Sequence, residues 1–436
     1  MSATTPEMRS TELIADLEWR GLLSQTTDRE ALLKELADGP VSFYLGFDPT
    51  APSLHVGNLV VLLVMRRFQL AGHKPLPLVG GATGLVGDPS GRNEERSLNS
   101  DEIVAEWVTR IRAQLERFLS FDGSNAATLV NNLDWTKNVS AIEFLRDIGK
   151  HFSVNQMLAK DSVSTRLEAG GISYTEFSYQ VLQGFDFLEL YRRHNCTLQI
   201  GGSDQWGNII AGLDLVRKVE GGSAHALTIQ LMTKSDGSKF GKTAGGSVWL
   251  DPEMTSPYAF FQFWIGSDDA DVEKYLKVFS FKSREELEQL FVELRENPGA
   301  RVAHRELARE LTTLVHGADQ CAKVEAASRA LFGQGDIREL DASTLESALS
   351  QLPRTQVNAD DLIDGNIFPT WVDLLAATGV VDSKSAARRI VKEGGAYLNN
   401  VKISGEDFAP TRSDLVNSKF LLLRKGKRDL AAVELL

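Results

Sequence analysis

The sequence predicts an α/β protein with a doubly wound parallel sheet and a helical insertion, followed by an α-helical domain and a small α+β module. Three observations predict this fold class. Strand and helix patterns alternate between residues 41 and 79, glycine-rich turns follow three predicted strands, and the sign of the net charge changes near residue 367. We expect the boundaries at 1–247 for the sheet domain, 248–333 for the helical domain, 334–366 for a linker and 367–436 for the module.

The sheet begins with VSFYLGF at 41–47, a segment rich in residues that favour strands. DPTAPS ends this strand, and HVGNLVVLLVMRRFQLAG continues as a mostly apolar helix that ends near Gly72. LPLV at 76–79 then reads as a second buried strand. A strand, a helix and a strand in this order imply parallel pairing, which makes the domain Rossmann-like.

The same pattern returns in CTLQIGGSDQWGN, where a short apolar strand and a glycine turn precede the helix NIIAGLDLVRKV. Open α/β sheets bind ligands at the carboxyl ends of their strands, where these glycine turns fall. Between the two patterns, residues from about 100 to 195 form mainly amphipathic helices, including DEIVAEWVTRIRAQLERFLS and YTEFSYQVLQGFDFLELYRRH. We interpret this stretch as an insertion into the sheet domain.

Composition places the chain among ordinary globular proteins, with 42% hydrophobic and 24% charged residues in 436. The two cysteines, Cys196 and Cys321, are far apart, which argues against a disulfide framework or a structural zinc site and favours a reducing cytoplasm. The amino terminus lacks a secretory pattern, and no apolar stretch reaches roughly 18 residues. We therefore expect neither export nor a membrane partner.

Charge is unevenly distributed along the chain, whose formal net charge is -12. Residues 367–436 carry 11 Lys and Arg against 8 Asp and Glu, a net of +3, so the preceding residues carry 36 against 51, a net of -15. The basic module is therefore the part of the chain that can contact nucleic acid.

The loop DGSKFGKTAG, within 236–246, contains a GKT that resembles the end of a phosphate-binding P-loop. The required glycine five positions before Gly241 is Asp236, so the P-loop spacing fails. The loop still carries Lys239, Lys242 and Thr243. In isolation such a loop is more often solvated than functional.

The motif HVGN, at the start of the helix predicted after the first strand, indicates that the lysines of the 236–246 loop bind phosphate. A helix amino terminus offers unpaired N–H groups and the positive end of the helix dipole, so phosphates bind there. Gly57 permits close approach of a ligand, and His55 and Asn58 add side-chain donors. Lys239 and Lys242 are suited to neutralise charge that develops on phosphate oxygens.

These segments resemble the bacterial tyrosyl-tRNA synthetases, which are class I enzymes. The resemblance covers nearly the whole chain and rests on ordered motifs: YLGFDPTAPSLHVGN, GGATGLVGDPSG, NNLDW, YTEFSYQVLQGFDF, IGGSDQWGN and KFGKT. HVGN and KFGKT resemble the two class signatures. The resemblance implies that the chain joins tyrosine to its transfer RNA by way of tyrosyl-adenylate, with ATP as a substrate.

The resemblance also implies a tyrosine pocket. Tyr44 and Asp186 would meet the substrate phenol, which is how this family is known to reject phenylalanine. Asp88, Tyr179 and Gln183 would hold the α-ammonium group. The remaining predicted tyrosine contacts are Gln205, near the carboxylate and the adenylate linkage, and the supporting Gln199.

The predicted ATP site adjoins this pocket. Gly46, Gly57 and Gly202 would let the adenylate approach, Asp204 would accept from the ribose, and Asp48 would lie near the linkage. The groups implied around the triphosphate are His55, Asn58, Thr50, Lys239, Lys242 and Thr243, with Arg92 and Arg96 reaching the pyrophosphate. Magnesium would be carried on the phosphates, so we expect no protein metal site.

Two departures from the family pattern stand within these motifs. Asn58 occupies the place of the second signature histidine, and its amide can still donate a hydrogen bond. Leu45 occupies a place where some relatives have a cysteine near the ribose, which removes one polar contact.

The terminal module has a basic helix of its own. SKSAARRIVKEGG begins at Ser383, places Arg388, Arg389 and Lys392 on an outer face, and stops at paired glycines. AYLNNVKI then predicts two short strands around an Asn-Asn turn. The module resembles a small RNA-binding domain, so these side chains would contact transfer RNA, and the resemblance implies a homodimer.

Several alternatives to these functional interpretations stay open. A strand tyrosine such as Tyr44, taken alone, is more often a core residue than a ligand contact. Asp186 can be a solvent-facing helical acid, and Arg388 and Arg389 can belong to an ordinary solvated helix face. Asn132 and Trp135 of NNLDW favour a structural role. At the level of the whole chain, the alternatives are an RNA-binding protein with a silent synthetase-like domain and a related tryptophan enzyme.

Overall fold

The computed structural model describes residues 10–90, 99–243, 246–426 and 429–436. It divides into two compact units. The first comprises Met1–Met254 and Ser267–Leu307, and the second comprises Thr255–Gly266 and Ala308–Leu436. The chain thus enters the second unit, returns to the first and enters the second again, a path that a linear division into a sheet domain and a helical domain does not describe.

The first unit is built on a six-stranded sheet in the order β1-β6-β5-β2-β3-β4. Its strands are β1 Leu23–Thr26, β2 Ser42–Phe47, β3 Lys74–Val79, β4 Val130–Asn131, β5 Cys196–Gly202 and β6 His225–Ile229. Strands β2 to β6 pair in parallel, whereas β1 pairs with β6 in antiparallel orientation. The predicted doubly wound Rossmann-like sheet is confirmed, with an added antiparallel edge that makes it mixed.

Helices surround this sheet. In the first unit they are α1 Ser10–Trp19, α2 Arg29–Asp38, α3 Val56–Leu70, α4 Thr83–Val86, α5 Asp101–Phe118, α6 Leu133–Thr136, α7 Ala141–Glu143, α8 Val154–Leu158, α9 Asp161–Ala169, α10 Tyr174–His194 and α11 Trp206–Glu220. The two long helices predicted in the insertion are α5 and α10. The insertion also supplies β4, which extends the sheet beyond β3.

The helices begin and end where local chemistry dictates. Ser173 caps α10 by accepting from the Glu176 N–H at 3.2 Å, and the helix ends at Asn195 in the left-handed region. His55 caps α3, which runs to Leu70, and Gly72 follows at φ +96°. These caps fix the ends of the two helices that border the predicted site.

The later elements alternate between the units. They include the short hairpin β7 Lys242–Thr243 and β8 Gly246–Ser247, then α12 Pro257–Ile265 in the second unit. The helices that follow are α13 Asp269–Phe279, α14 Arg284–Glu296, α15 Val302–His316, α16 Ala318–Leu331 and α17 Ala342–Leu349. Of these, α13 and α14 lie in the first unit, and α15 crosses the boundary between the two.

The second unit contains a five-stranded sheet in the order β11-β10-β12-β13-β9. Its elements are β9 Arg354–Val357, α18 Trp371–Ala377, α19 Lys384–Lys392, β10 Ala396–Leu398, β11 Val401–Lys402, β12 Phe420–Lys425 and β13 Asp429–Leu435. Strand β9 pairs in parallel with β13. The stretch 334–366, which we expected to be a linker, therefore supplies α17 and an edge strand of this sheet.

The predicted strand–turn–strand of the module is confirmed. Strands β10 and β11 pair across Asn399 and Asn400, whose φ angles of 48° and 68° are those of a tight hairpin turn. Behind the sheet, Trp371, Phe368 and Leu421 are fully buried in one core. In the part of the chain that the structure describes, no helix combines the length and apolar character needed to cross a membrane.

Candidate active site

Several predicted site residues lie on or beside β2 and β5, the neighbouring strands at which the strand order reverses. Tyr44 lies on β2 and Gln199 on β5, and the two are register partners. Helix α10 packs against this part of the sheet, because the Tyr44 and Phe187 rings lie 5.2 Å apart, edge to face. The crevice between β2 and β5 is the place where a doubly wound sheet binds ligands.

Asp186 is buried in this crevice, with only 3% of its surface exposed. Its Oδ1 accepts from the Trp135 Nε1 at 2.9 Å, and its Oδ2 accepts from the Asn132 Nδ2 at 3.0 Å. Burial raises the pKa of Asp186 to about 7, although the two hydrogen bonds oppose this shift. The carboxyl group is therefore an inward-facing acceptor and not a solvent-facing helical acid.

A continuous hydrogen-bond network links Asp186 to Asp48. Asn132 accepts from the Ala82 N–H at 2.7 Å and donates to the Thr83 Oγ1 at 2.9 Å. Thr83 donates to Asp48 Oδ1 at 2.6 Å. The Tyr179 hydroxyl donates to the other oxygen of Asp48, also at 2.6 Å. Two carboxylates predicted for the site are thus held in one rigid, satisfied network.

A glycine makes room for this network. Gly80 follows β3, and a Cβ atom placed there would collide with Asp48 Oδ1 and Thr83 Oγ1. Only glycine therefore allows the Asp48–Thr83 hydrogen bond beside this strand end. This explains one of the glycines in the GGATG turn.

The Tyr44 hydroxyl is buried and has no partner at hydrogen-bonding geometry among the described residues. The side-chain oxygens of Gln183 and Gln199 are likewise buried and unpaired there. Burial, together with the charge of Asp186, raises the pKa of Tyr44 well above its ordinary value, so the phenol stays protonated. These polar atoms are available to a polar ligand, since proteins seldom leave such groups unpaired.

A second cluster connects the GDPSG turn to the start of α11. Gln205 donates through Nε2 to Asp88 Oδ2 at 2.7 Å, and Asp88 Oδ1 accepts from the Ser90 N–H at 2.9 Å. Asp204, next to Gln205, is exposed, and a Cβ atom on Gly202 would lie 2.5 Å from its Oδ1. Gly202 therefore keeps the strand end open beside this carboxylate.

The two class signatures lie against each other. His55 Nδ1 accepts from the N–H groups of Gly57 and Asn58 at 3.0 and 3.3 Å, and Asn58 Oδ1 accepts from the His55 N–H at 3.1 Å. The Val56 N–H donates to the Val248 carbonyl at 3.0 Å, and the Val248 N–H donates to Gly241 at the same distance. Backbone hydrogen bonds thus join the amino terminus of α3 to the KFGKT segment.

The KFGKT segment, residues 239–243, which we also call the lysine segment, is anchored by its buried aromatic side chain. Phe240 packs against Tyr275 and Phe279 of α13, with ring centroids 5.1 and 5.5 Å away. Lys239, Lys242 and Thr243 are exposed beside it. The pKa of His55 is lowered, first by burial and also by the charge of Lys242, so the lysine lies within electrostatic reach of the histidine.

Other predicted residues occupy different settings. Gly46 and Thr50 are exposed, Gly46 near the end of β2 and Thr50 in the loop that follows it. Arg92 and Arg96 lie outside the described residues. The basic side chains of α19 belong to the second unit, where Lys392 lies 3.1 Å and Arg388 3.8 Å from carboxylate oxygens of Glu406.

Sequence reasoning did not give Thr83 a role, and it favoured a purely structural role for Asn132 and Trp135. Thr83 joins Asp48 to Asn132, and both residues of NNLDW orient Asp186. The motif NNLDW was itself a signal, because an amide and an indole N–H close together can serve one buried carboxylate. In the described segments, no cluster of three or more His, Cys, Asp or Glu is arranged to hold a metal ion.

Comparison with known proteins relates this geometry to a family. Residues 36–333 match the model for class I tRNA synthetases specific for tryptophan and tyrosine, and residues 345–433 match a tyrosine–tRNA ligase carboxyl-terminal domain. The tyrosine–tRNA ligase of Streptomyces coelicolor is 62% identical over 427 residues, which cover 98% of this chain and 99% of that protein. The tyrosine–tRNA ligase of Thermobifida fusca is 55% identical, and the match covers 97% of this chain and 99% of that protein.

Among solved structures, a truncated mitochondrial tyrosyl-tRNA synthetase from Aspergillus nidulans superposes with a TM-score of 0.67 at 32% identity. The match covers 73% of this chain and 94% of that one. A tryptophanyl-tRNA synthetase from Encephalitozoon cuniculi, at 13% identity and a TM-score of 0.52, shares the fold alone. Near-complete coverage at high identity, together with both family models, shows that this chain belongs to the bacterial tyrosine–tRNA ligases of class I.

Proposed function

We infer that this chain is a tyrosine–tRNA ligase, which activates L-tyrosine with ATP and transfers the tyrosyl group to the terminal ribose of tyrosine transfer RNA. One observation carries this inference beyond family membership. A buried phenol and a buried carboxyl group, Tyr44 and Asp186, lie beside the point where the strand order reverses, and the HVGN segment, which is joined to KFGKT, follows the end of β2. An aromatic amino acid and a nucleotide thus have adjoining places.

The polar end of the substrate side chain is assigned to Tyr44 and Asp186. The substrate phenol donates to the Asp186 carboxylate, and the unpaired Tyr44 hydroxyl completes its hydrogen bonding. Gln199, a neighbour of Tyr44 with an unpaired amide oxygen, supports the pocket. Phenylalanine cannot donate to the buried Asp186 carboxylate and leaves the Tyr44 hydroxyl unpaired, which is the physical reason for its rejection.

The amino-acid head group is assigned to the residues around the network. Asp88 and Gln183 accept from the α-ammonium group, together with Tyr179, whose hydroxyl already donates to Asp48. Gln205 lies near the carboxylate, since its amide nitrogen is held by Asp88. Asp48 lies near the adenylate linkage, where the network fixes its position.

The nucleotide is assigned to the strand ends and to the α3 terminus. Gly46, Gly57 and Gly202 allow close approach, and Asp204 accepts from ribose hydroxyls. The phosphates are assigned to the α3 terminus and the lysine segment, through His55, Asn58, Thr50, Lys239, Lys242 and Thr243, with Arg92 and Arg96. Magnesium enters as part of the ATP substrate, bound to its phosphates.

The reaction needs little proton transfer. The tyrosine carboxylate attacks the α-phosphorus of ATP in line with the leaving pyrophosphate, and the terminal ribose hydroxyl of the transfer RNA then attacks the activated carbonyl. Lys239 and Lys242 stabilise negative charge on the phosphate oxygens as it develops. The lowered pKa of His55 keeps its ring neutral, and its Nδ1 is occupied by backbone donors, so Nε2 is left to donate.

Association into a homodimer and binding of transfer RNA belong to the same proposal. Large apolar side chains that are exposed concentrate between residues 142 and 174, where they include Ile142, Leu145, Val154, Leu158, Leu167 and Tyr174. A second copy of the chain covers such a surface. Arg388, Arg389 and Lys392 bind transfer RNA phosphates, and the cytoplasm remains the expected location.

Tyrosine-dependent exchange of labelled pyrophosphate into ATP tests the first half of the reaction directly. Exchange with tyrosine supports the proposal. Well-folded protein that binds tyrosine transfer RNA without any exchange would instead support an RNA-binding role, and exchange with tryptophan alone would support the tryptophan enzyme.

A further inference from the structure

A cavity of about 270 Å³ lies beside the site, bordered by α10, α11 and residues 151–160. None of its lining residues is among those assigned to tyrosine, ATP or transfer RNA. It nevertheless shares structural elements with the site. Gln180, which borders the cavity, follows Tyr179 on α10, and Lys160 of the cavity binds the carbonyl of Gly207, two residues after Gln205.

Gln180 is the most unusual side chain of this cavity. Only 4% of its surface is exposed, yet its amide nitrogen and its amide oxygen both lack a hydrogen-bond partner among the described residues. A buried primary amide with neither atom paired is unfavourable for folding, and a methionine of similar length would avoid this disadvantage. Such a group is better explained by a ligand that pairs with it.

The charges around the cavity favour an anionic ligand. The Nζ of Lys160 donates to the Gly207 carbonyl at 2.5 Å, and the Nζ of Lys218 donates to the His151 carbonyl at 2.9 Å. Burial lowers the pKa of Lys160 to about 8, although the charge of Asp214 opposes this shift. The lining carries two lysines, Lys160 and Lys218, against one carboxylate, Asp214, which lies 3.9 Å from Lys218, so cations outnumber anions there.

The rest of the lining is apolar and suits a flat ring. Phe152, Met157, Ile210 and Leu215 border the cavity, and Met157 and Leu215 are buried core residues. An adjacent donor and acceptor on one amide match the edge of a nucleobase, which the glutamine side chain can bind with two hydrogen bonds. Lysine ammonium groups bind phosphate as point charges.

We propose that this cavity is an accessory nucleotide site, in which Gln180 pairs with the edge of one base and Lys160 and Lys218 bind its phosphate. Its volume lies just below that of ordinary ligand pockets, about 300–1,000 Å³, which suits one nucleotide and excludes a dinucleotide. The nucleotide is either free in solution or an unstacked unit of an RNA strand. The second source rests on the proposed function, and the first does not.

Binding measurements on three proteins test this site. Equilibrium dialysis with each ribonucleoside 5′-monophosphate is run with and without α,β-methylene ATP, because this analogue fills the ATP site and is itself a nucleotide that can compete for the cavity. A parallel titration uses a tyrosine transfer RNA transcript. The proteins are the wild type, Gln180→Met and, as a matched control on the exposed surface of α14, Gln289→Met. Thermal unfolding of each protein without ligand is recorded as well.

Gln180→Met is expected to weaken binding about tenfold, the loss of a paired base edge, while Gln289→Met binds as the wild type does. Weakened mononucleotide binding identifies a free ligand, and weakened binding of the transcript alone identifies an RNA nucleotide. Gln180→Met should also raise the unfolding temperature, because it removes the unpaired amide. Unchanged affinity for both ligands would overturn the proposal.

Pyrophosphate exchange on the same proteins separates this site from the proposed function. The Gln180→Met protein should exchange at the wild-type rate, because Gln180 is not among the groups assigned to tyrosine or ATP. Absence of exchange in the wild type would contradict the ligase reaction and leave a measured mononucleotide site standing.

Discussion

Asp186 combines two properties that oppose each other. Burial raises its pKa to about 7, whereas the hydrogen bonds from Trp135 and Asn132 favour the charged form. A carboxyl group with a raised pKa is protonated below that value and ionised above it. Near neutral pH it therefore changes between a weaker acceptor and the strong, charged acceptor that a phenol donor needs.

Tyrosine affinity should accordingly increase as pH rises through about 7. Because hydrogen bonds to charged groups contribute about 1 kcal/mol more than neutral ones, the dissociation constant should fall several-fold, at most about fivefold, between pH 6 and pH 8. Asp186→Asn, which cannot ionise, should bind tyrosine weakly at both values. Calorimetric titration of tyrosine across this range measures the effect, and a flat profile in the wild type would show that the phenol does not meet this carboxylate.

Lys242 should act on the reaction and not on amino-acid binding. Removing a positive group that meets charge only as it develops raises the barrier by about 3 kcal/mol, so Lys242→Ala should slow adenylate formation on the order of 100-fold. Tyrosine affinity should stay nearly unchanged. Stopped-flow measurement of adenylate formation tests this, with Lys234→Ala, just before the loop at 236–246, as the control. A large loss of tyrosine binding would show that the lysine is misplaced.

Some residues could be assigned before the structure and others could not. Tyr44 and Asp186 were expected from their motifs, and the structure brings both to the same crevice. The bridging hydroxyl of Thr83 could not be expected, because its role exists only where the neighbouring ends of β2, β3 and β4 bring Asp48, Thr83 and Asn132 together. The functional roles of all these residues stay predictions.

At the scale of elements, the contact between the KFGKT segment and α3 depends on glycine at 241. Its φ of +77° lies in the left-handed region, and a Cβ atom there would lie 2.7 Å from the Val56 Cγ2. Gly237, two residues before this segment, has a φ of +79°, and a Cβ atom placed there would have no atom within 4 Å. The two glycines share a backbone conformation and differ only in their surroundings.

Gly241→Ala should therefore impair the reaction more than Gly237→Ala. Both variants incur about 1 kcal/mol of backbone strain, but only Gly241→Ala also pushes the lysine segment away from α3. We expect exchange to fall at least about tenfold in Gly241→Ala and less than about threefold in Gly237→Ala. Equal losses in the two variants would indicate that the close contact with Val56 does not matter for the reaction.

Elements with their own sequence signal were predicted, and elements defined by a distant partner were not. VSFYLGF and the helix that begins at HVGN became β2 and α3 within a residue or two. The two-residue β4 and the four-residue β1 and β9 carry no periodicity, so only the strands they pair with define them. That is why the insertion and the expected linker each contain an unexpected edge strand.

At the scale of the whole molecule, chemistry and RNA binding are assigned to different units. The tyrosine and ATP groups lie in the first unit, and the exposed basic side chains of α19 lie in the second. Ala387 and Val391 of α19 are buried, so its basic face can be altered while its packing is kept. The division allows the two halves of the reaction to be tested separately.

Replacing Arg388, Arg389 and Lys392 together by alanine should weaken transfer RNA binding and leave tyrosine-dependent exchange unchanged. Each lost phosphate contact reduces the magnitude of the slope of log affinity against log salt by about 1. The slope of the triple variant should therefore be smaller in magnitude by up to about 3. Lys419→Ala is the control, because Lys419 is a basic side chain of the same unit that lies outside α19 and is held by two carboxylates, Glu346 at 2.8 Å and Glu434 at 3.1 Å. An unchanged salt slope would contradict the assignment of this helix to RNA.

Pyrophosphate exchange measured with each of the twenty amino acids tests the whole assignment most directly. The adjoining places for an aromatic amino acid and ATP predict rapid exchange with tyrosine and none above background with phenylalanine, which cannot donate to Asp186 and leaves the Tyr44 hydroxyl unpaired. Folded protein that shows no exchange with tyrosine, or exchanges equally well with phenylalanine, would contradict it.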